Sequence, residues 1–497
     1  MKADQIHPTD RLIASLVTRR FNLPALYPYQ QLVIRYIAEQ AGLYEQASWK
    51  KQVENLLVIL PTGSGKSICF MLPALLLKGI TVVVYPLLSL MNDQLRRAEK
   101  IGLSAVVLKG GQSPAQRKEI EDKLRSGLAT FVITNPETLS QKPLLELFKS
   151  LTIDLFVIDE VHTLVQWGTT FRPSFLALHD IITAVQPLQV LCFTATASPS
   201  IIGQIKQLLF AGQGVHVIKG DPDRPNIHYR THLSLSKTHD LEHLIKQVAI
   251  LPALLFCSSR KRCEAYAQFL QNLQLDCQVD YYHAGLEASV RKEKENWFYH
   301  AQKAVLVATS AYGLGIDKPN IRTVIHLDLS DDVESYLQES GRAGRDGKQA
   351  YAIVCLKRSD YLFSKHPKAT LAAVFAQNTL CRRQQLLALL AVNECSCSGC
   401  DVCSATVFTD ADGQQQILRL IKRYPLRFSC QEAAGVLTAS PNCPPLYKKN
   451  ALYGVLQSWQ EKEVNEALHS LVLLGCIKEV TLPFKKRRLY SPPFAKH

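Results

Sequence analysis

The sequence predicts an α/β protein: two tandem doubly wound parallel-sheet domains, a helical module with clustered cysteines, and a small helical domain closed by a hairpin. Three observations carry this prediction. Apolar strand-like runs alternate with helical stretches twice over, with the linker-like Gly220-Asp221-Pro222-Asp223-Arg224-Pro225 between the two series. Each series carries glycine-rich loops at strand ends. Beyond the second series the pattern turns helical and then rich in cysteine.

In the first series the strands are Leu56–Leu60, Thr81–Tyr85, Thr130–Ile133, Leu155–Ile158 and Val190–Phe193. Their near-continuous apolar character is that of parallel strands covered on both faces. In the second series they are Ala253–Phe256, Ala304–Val307, Thr323–His326 and Ala350–Val354. Two consecutive domains of this kind imply a cleft between them. Helices are expected over Gln414–Arg423, Cys430–Thr438 and Glu461–Leu474, followed by a hairpin between Ile477 and Tyr490. Three helices and a basic hairpin describe a winged helix, a fold that docks on the duplex backbone.

The segment after the first strand is Leu60-Pro61-Thr62-Gly63-Ser64-Gly65-Lys66-Ser67. Glycines let its backbone curl so that N–H groups face a β-phosphate, while the following helix N-terminus adds positive potential. Thr62, Gly63, Ser64, Gly65, Lys66 and Ser67 are therefore nucleotide-binding candidates, with Lys66 reaching the β/γ oxygens and Ser67 offering a hydroxyl to Mg²⁺. Position 60 is Leu rather than glycine, which disfavours a kinase and suits helicase-type loops. Downstream, Ile158-Asp159-Glu160-Val161-His162 supplies the complement: Asp159 for the same metal and Glu160 to orient an attacking water. Together they predict hydrolysis of a nucleoside triphosphate, ATP being the expected one.

With 497 residues the chain is too long for one core. Its 57 Lys+Arg against 43 Asp+Glu leave a formal charge of +14, which favours a polyanionic partner, with DNA or RNA the first candidate. The N-terminus has no apolar signal core, and no apolar run reaches the length of a spanning helix. Cysteines scattered through strands, such as Cys192, Cys257 and Cys355, read as reduced and intracellular.

The stretch Gln338-Glu339-Ser340-Gly341-Arg342-Ala343-Gly344-Arg345-Asp346-Gly347 places two arginines three residues apart, read as the start of a helix. Pointed at a γ-phosphate they would act as an arginine finger, with Gln338 beside them. With these motifs in hand the chain resembles the RecQ family of superfamily 2 DNA helicases over nearly its whole length. Gln30, in Tyr27-Pro28-Tyr29-Gln30, stands where the family reads adenine, and Thr194-Ala195-Thr196-Ala197 resembles the motif that links hydrolysis to DNA contact. Gln166-Trp167-Gly168-Thr169-Thr170-Phe171-Arg172-Pro173 resembles the family's aromatic-rich loop that senses single-stranded DNA. There, aromatic rings stack on bases regardless of sequence, so Trp167, Phe171 and Arg172 are DNA-binding candidates. The chain departs from the pattern at Tyr27, where Arg is usual, at Thr170, where an acidic residue is common, and in an inserted segment, Ala41 to Glu54.

The resemblance implies RecA-like domains at residues 1–205 and 206–360, a zinc-binding module at 361–408 and a winged-helix domain at 409–497. Cys397, Cys400 and Cys403 are equally spaced, with Cys381 upstream on a helical stretch, and four such thiolates point to structural Zn²⁺. Cys395 is an alternative to Cys397, an iron–sulfur cluster is the rival centre, and unligated thiols are the bland reading. The basic run Lys485, Lys486, Arg487 and Arg488 in the hairpin is expected to grip duplex phosphates. The implied function is an ATP-dependent DNA helicase moving 3′ to 5′, in repair, recombination or fork processing. The alternatives are a DNA-binding ATPase switch with little unwinding and, less favoured, an RNA helicase. The implied state is a monomer on single-stranded and duplex DNA, in the bacterial nucleoid or the eukaryotic nucleus.

Overall fold

A computed structural model describes residues 7–44, 53–61, 63–86, 88–167, 174, 176–313, 318–357, 368–392, 396–407, 410–482 and 486–492. The chain divides into two compact units, Met1–Asp223 and Arg224–His497.

The first unit holds a seven-stranded parallel sheet. Its strands are β1 (Asn55–Ile59), β2 (Ile80–Val84), β3 (Ala105–Val107), β4 (Phe131–Thr134), β5 (Ile153–Ile158), β6 (Gln189–Thr194) and β7 (Val215–Lys219). Their spatial order is β3-β4-β2-β5-β6-β1-β7. Residues of one strand alternate between two cores: Leu57 and Ile59 join one, Leu56, Val58 and Leu60 the other. Helices therefore cover both faces, as the apolar runs predict.

The second unit is built on a six-stranded sheet of β8 (Ile227–Leu233), β9 (Ala253–Phe256), β10 (Gln278–Tyr282), β11 (Ala304–Ala308), β12 (Thr323–His326) and β13 (Ala350–Leu356). Its order is β10-β11-β9-β12-β13-β8, all parallel. Helices Gln414–Arg423, Cys430–Leu437 and Glu461–Leu473 follow, then β14 (Lys478–Leu482) paired antiparallel with β15 (Lys486–Tyr490). This is the element order expected of a winged helix.

The expected boundary at residue 205 is corrected: the helix Pro199–Phe210 runs through it, and β7 pairs with β1. The division falls instead within the linker-like run Gly220–Pro225. The expected boundaries at 360 and 408 lie outside the described residues.

The cysteine segment and the C-terminal helices share one continuous core with a face of the second sheet, from Ile227 to Leu489. His239 marks the seam. Its ring stacks on Trp459 at 3.9 Å between centroids, with Nε2 3.1 Å from Asp412 and Nδ1 3.6 Å from Glu463. Burial disfavours its charge, but bonds to the two carboxylates outweigh that and raise its pKa to about 9. Beside it Glu466 accepts from Ser236 at 2.9 Å and pairs with Lys357 at 2.6 Å.

Candidate active site and cysteine cluster

The phosphate loop follows β1, Asp159 follows β5, and β6 lies between those strands in the sheet. The candidate groups of the first unit therefore converge at strand carboxyl ends. Gly63 and Gly65 adopt φ +81° and +74°, which lets the loop reverse without a Cβ penalty. Ser67 stands at the N-cap position of the helix Ile68–Ala74, without a side-chain capping bond. The Ser64 carbonyl accepts from Gln30 Nε2 at 2.8 Å and from the Tyr29 hydroxyl at 3.2 Å. Gln30 Oε1 accepts the backbone N–H of Tyr27 at 2.9 Å, so one buried amide ties the entry to helix Pro28–Gln40 to the loop. Tyr27, where the family carries Arg, is exposed and stacks on Tyr29.

Lys66 Nζ lies 3.0 Å from Glu160 Oε1. Glu160 stands in the left-handed region at φ +50°, an uncommon conformation for a side-chain-bearing residue that recurs at active sites. Its other carboxylate oxygen is 3.4 Å from His162 Nδ1, which is also 3.0 Å from Thr194 Oγ1. The Thr194 hydroxyl donates to the Thr196 carbonyl at 3.0 Å, so Nδ1 must carry the proton that the hydroxyl accepts. A line of close polar contacts thus runs from the phosphate loop through Glu160 and His162 to Thr194 at the end of β6. His162 is the residue that reading the motif left without a role.

Asp159 is 9% exposed. Burial and the neighbouring Glu160 push its pKa up to about 6 against the pull of Lys66. A carboxylate held in that way suits a cation, which would restore its charge. The residues present fit Mg²⁺.

In the second unit Gln338 lies half-buried on the helix Val333–Ser340. Arg342 and Arg345 follow that helix in a turn, which corrects the expectation that they begin one. The helix ends at its C-cap Gly341, and Gly344, at φ +58°, takes the left-handed conformation that turns the chain back toward β13. Arg224 and Asn226, which the sequence reading did not single out, donate to this turn. Arg224 bonds the Gly341 carbonyl at 3.1 Å and the Gly344 carbonyl at 3.1 Å, and Asn226 bonds Gly344 at 2.7 Å.

The sulfurs of Cys381, Cys397, Cys400 and Cys403 all lie within 4.8 Å of one another. Four ligands about 2.3 Å from one tetrahedral ion would stand roughly 3.8 Å apart, and Cys400 to Cys381 is 3.9 Å. Thiolates on the separate irons of a cubane would stand farther apart, so the cluster fits a single zinc ion. Cys381 is the N-cap of helix Arg382–Ala388 rather than within it. Arg382 and Arg383 behind it are fully buried: Arg382 pairs with Asp401 at 2.5 Å, and Arg383 lies over the Tyr229 ring.

Thr62, Thr170, Phe171, Arg172, Cys395 and Lys485 lie outside the described residues, as do the side chains of Trp167 and Lys486. Arg488 pairs with Glu432, the glutamate of the capping box that starts helix Cys430–Leu437. It therefore serves the fold. Arg487 is 71% exposed, 3.6 Å from Glu479.

Comparison with known proteins agrees with this geometry. Residues 27–204 match the family model of DEAD/DEAH box helicases, and residues 236–347 that of the helicase conserved C-terminal domain. The ATP-dependent DNA helicase RecQ of Pasteurella multocida is 31% identical over 448 residues, covering 86% of this chain and 70% of the relative. RecQ of Bacillus subtilis is 30% identical over 441 residues, covering 84% of this chain and 74% of the relative. Among solved structures, Mss116p bound to single-stranded RNA and AMP-PNP shares the fold at TM-score 0.60 and 16% identity, covering 94% of this chain and 92% of that one. The helicase MrfA bound to DNA does so at 0.57 and 17%, covering 99% and 63%. A phosphate loop beside the buried Asp159 and its neighbour Glu160, on a chain similar to RecQ over more than four-fifths of its length, identifies the protein as an ATP-dependent DNA helicase of the RecQ family.

Proposed function

We propose that this helicase moves 3′ to 5′ along single-stranded DNA and uses each ATP turnover on its first unit to advance. Lys66 neutralises β/γ-phosphate charge, Glu160 orients the attacking water, and Gln30 selects adenine. A magnesium ion held by Ser67 and Asp159 would bridge phosphate oxygens and offset the charge that develops on them. Gln338, Arg342 and Arg345 complete the hydrolytic set, with Arg345 as the finger. The observation that carries this reading is the line of polar contacts Lys66–Glu160–His162–Thr194, which runs from the phosphate loop to the motif the family uses to link hydrolysis with DNA.

Trp167, Phe171 and Arg172 sense single strands by stacking and phosphate pairing. Cys381, Cys397, Cys400 and Cys403 hold a structural zinc ion. The C-terminal winged helix grips duplex phosphates with Lys485, Lys486 and Arg487. The protein acts as a monomer in the nucleoid or nucleus, at damaged, recombining or replicating DNA. Among the described residues no helix is long and apolar enough to cross a membrane.

Strand separation on forked, 3′-tailed and 5′-tailed duplexes tests the proposal. The 3′-tailed and forked substrates open with ATP, and none opens with a non-hydrolysable analogue. Opening of the 5′-tailed duplex alone reverses the polarity. DNA-stimulated turnover with no opening of any substrate makes the protein a switch.

A further inference from the structure

The turn that carries Arg342 and Arg345 has no ladder to fix it; the Gly347 amide bonds the Gly344 carbonyl at 3.0 Å within it, and further partners come from elsewhere. Arg224 supplies them. Its planar guanidinium reaches Gly341 O at 3.1 Å, Ala343 O at 3.4 Å and Gly344 O at 3.1 Å. Asn226 adds bonds to Gly344 O at 2.7 Å and Lys348 O at 2.9 Å. A Cβ on Gly344 would stand 2.5 Å from Asn226 Nδ2 and 2.6 Å from the Lys348 carbonyl, so the turn is packed tightly against this clamp. Its amide is fixed too, donating to Ile321 O at 2.8 Å. The far side is closed by Arg322, paired with Asp346 at 2.6 Å.

The clamp is itself held. Arg383, fully buried, donates to the carbonyl of Arg224 at 3.1 Å and to that of Ile227. Arg383 follows the cluster residue Cys381 by two positions, and its guanidinium also reaches the carbonyl of Gly399 in the cysteine loop at 3.5 Å. The start of β8 is therefore pinned between the cysteine module and the arginine turn.

We propose that Arg224 is a positioning residue for ATP hydrolysis, fixing the Gly341–Gly344 turn and thereby the presentation of Arg345 to the γ-phosphate. This rests on the reading of Arg345 as the finger. An arginine fork matches three divergent carbonyls, which a shorter or apolar side chain does not. Misplacement of a catalytic group by about 1 Å costs on the order of 10²-fold in rate.

The test compares DNA-stimulated ATPase of R224M, R345A and the double variant, with ATP KM and zinc content measured on each. R224M should keep its zinc and its KM while kcat falls about 10²-fold, and the double variant should be no slower than R345A alone. An R224M enzyme with near-normal kcat overturns the proposal. So does a double variant slowed by the product of the two single effects, since Arg224 then acts elsewhere. Near-normal kcat in R345A overturns the finger assignment instead, whatever R224M does. If R224M does not fold, N226A loosens the same Gly344 carbonyl and is judged by the same kcat and KM criteria.

Discussion

Gly65 meets two demands at once. Its backbone sits at φ +74°, and a Cβ there would stand 2.6 Å from Gln30 Nε2. Gly65→Ala should therefore weaken ATP binding by about tenfold, matching the roughly 1–2 kcal/mol that a side chain costs in the left-handed region. Titration with a fluorescent nucleotide checks this, and an unchanged affinity would show that the loop rearranges freely. The two hairpin arginines separate just as clearly. Arg487→Ala should lower duplex affinity and reduce the slope of log K against log salt by about one charge. Arg488→Ala should leave that slope alone and lower the melting temperature, because it removes the partner of Glu432 at a helix cap. A changed salt slope in the Arg488 variant would return that residue to the DNA surface.

At the scale of elements, the strands that the sequence made legible are the central ones. The four it did not, β3, β7, β8 and β10, are the edges of the two sheets. The reason is physical: central strands are covered on both faces and read as apolar runs, whereas β8 alternates buried and half-buried residues and β10 is mostly half-buried. The phosphate loop, the Asp-Glu pair and the four cysteines were legible because their chemistry demands fixed local spacing. Arg224 and the His239 seam were not, since their partners lie far along the chain. His239 makes a stability prediction. Its folded pKa of about 9 lies above the ordinary 6.5, so its contribution is fully present below about pH 6.5 and fades as pH rises toward 9. His239→Phe, which keeps a ring against Trp459, should melt below the wild type at about pH 6, with the gap closing by about pH 9. A gap that does not vary with pH would mean that stacking, rather than charge, holds the seam. The cysteine cluster is tested by Cys400→Ser, which should lose zinc and soluble yield, because structural metal contributes directly to folding. A stable, metal-free wild-type protein would remove the metal from the account.

Across the whole molecule, both units contribute residues to the proposed ATP chemistry and to the proposed DNA contacts. The first unit carries the phosphate loop and the carboxylate pair, while the second carries the arginine turn, the cysteine cluster and the basic hairpin in a single continuous core. That core makes the second unit one body, in which the C-terminal helices are seated on the second sheet by His239, Ser236 and Lys357. The central claim is that turnover at Lys66 drives unwinding. It is tested most directly by measuring ATP hydrolysis and opening of a 3′-tailed duplex side by side for wild type and Lys66→Ala. Wild type should do both, and the variant neither while still binding single strands with near-normal affinity. Unwinding that survives in Lys66→Ala would contradict it.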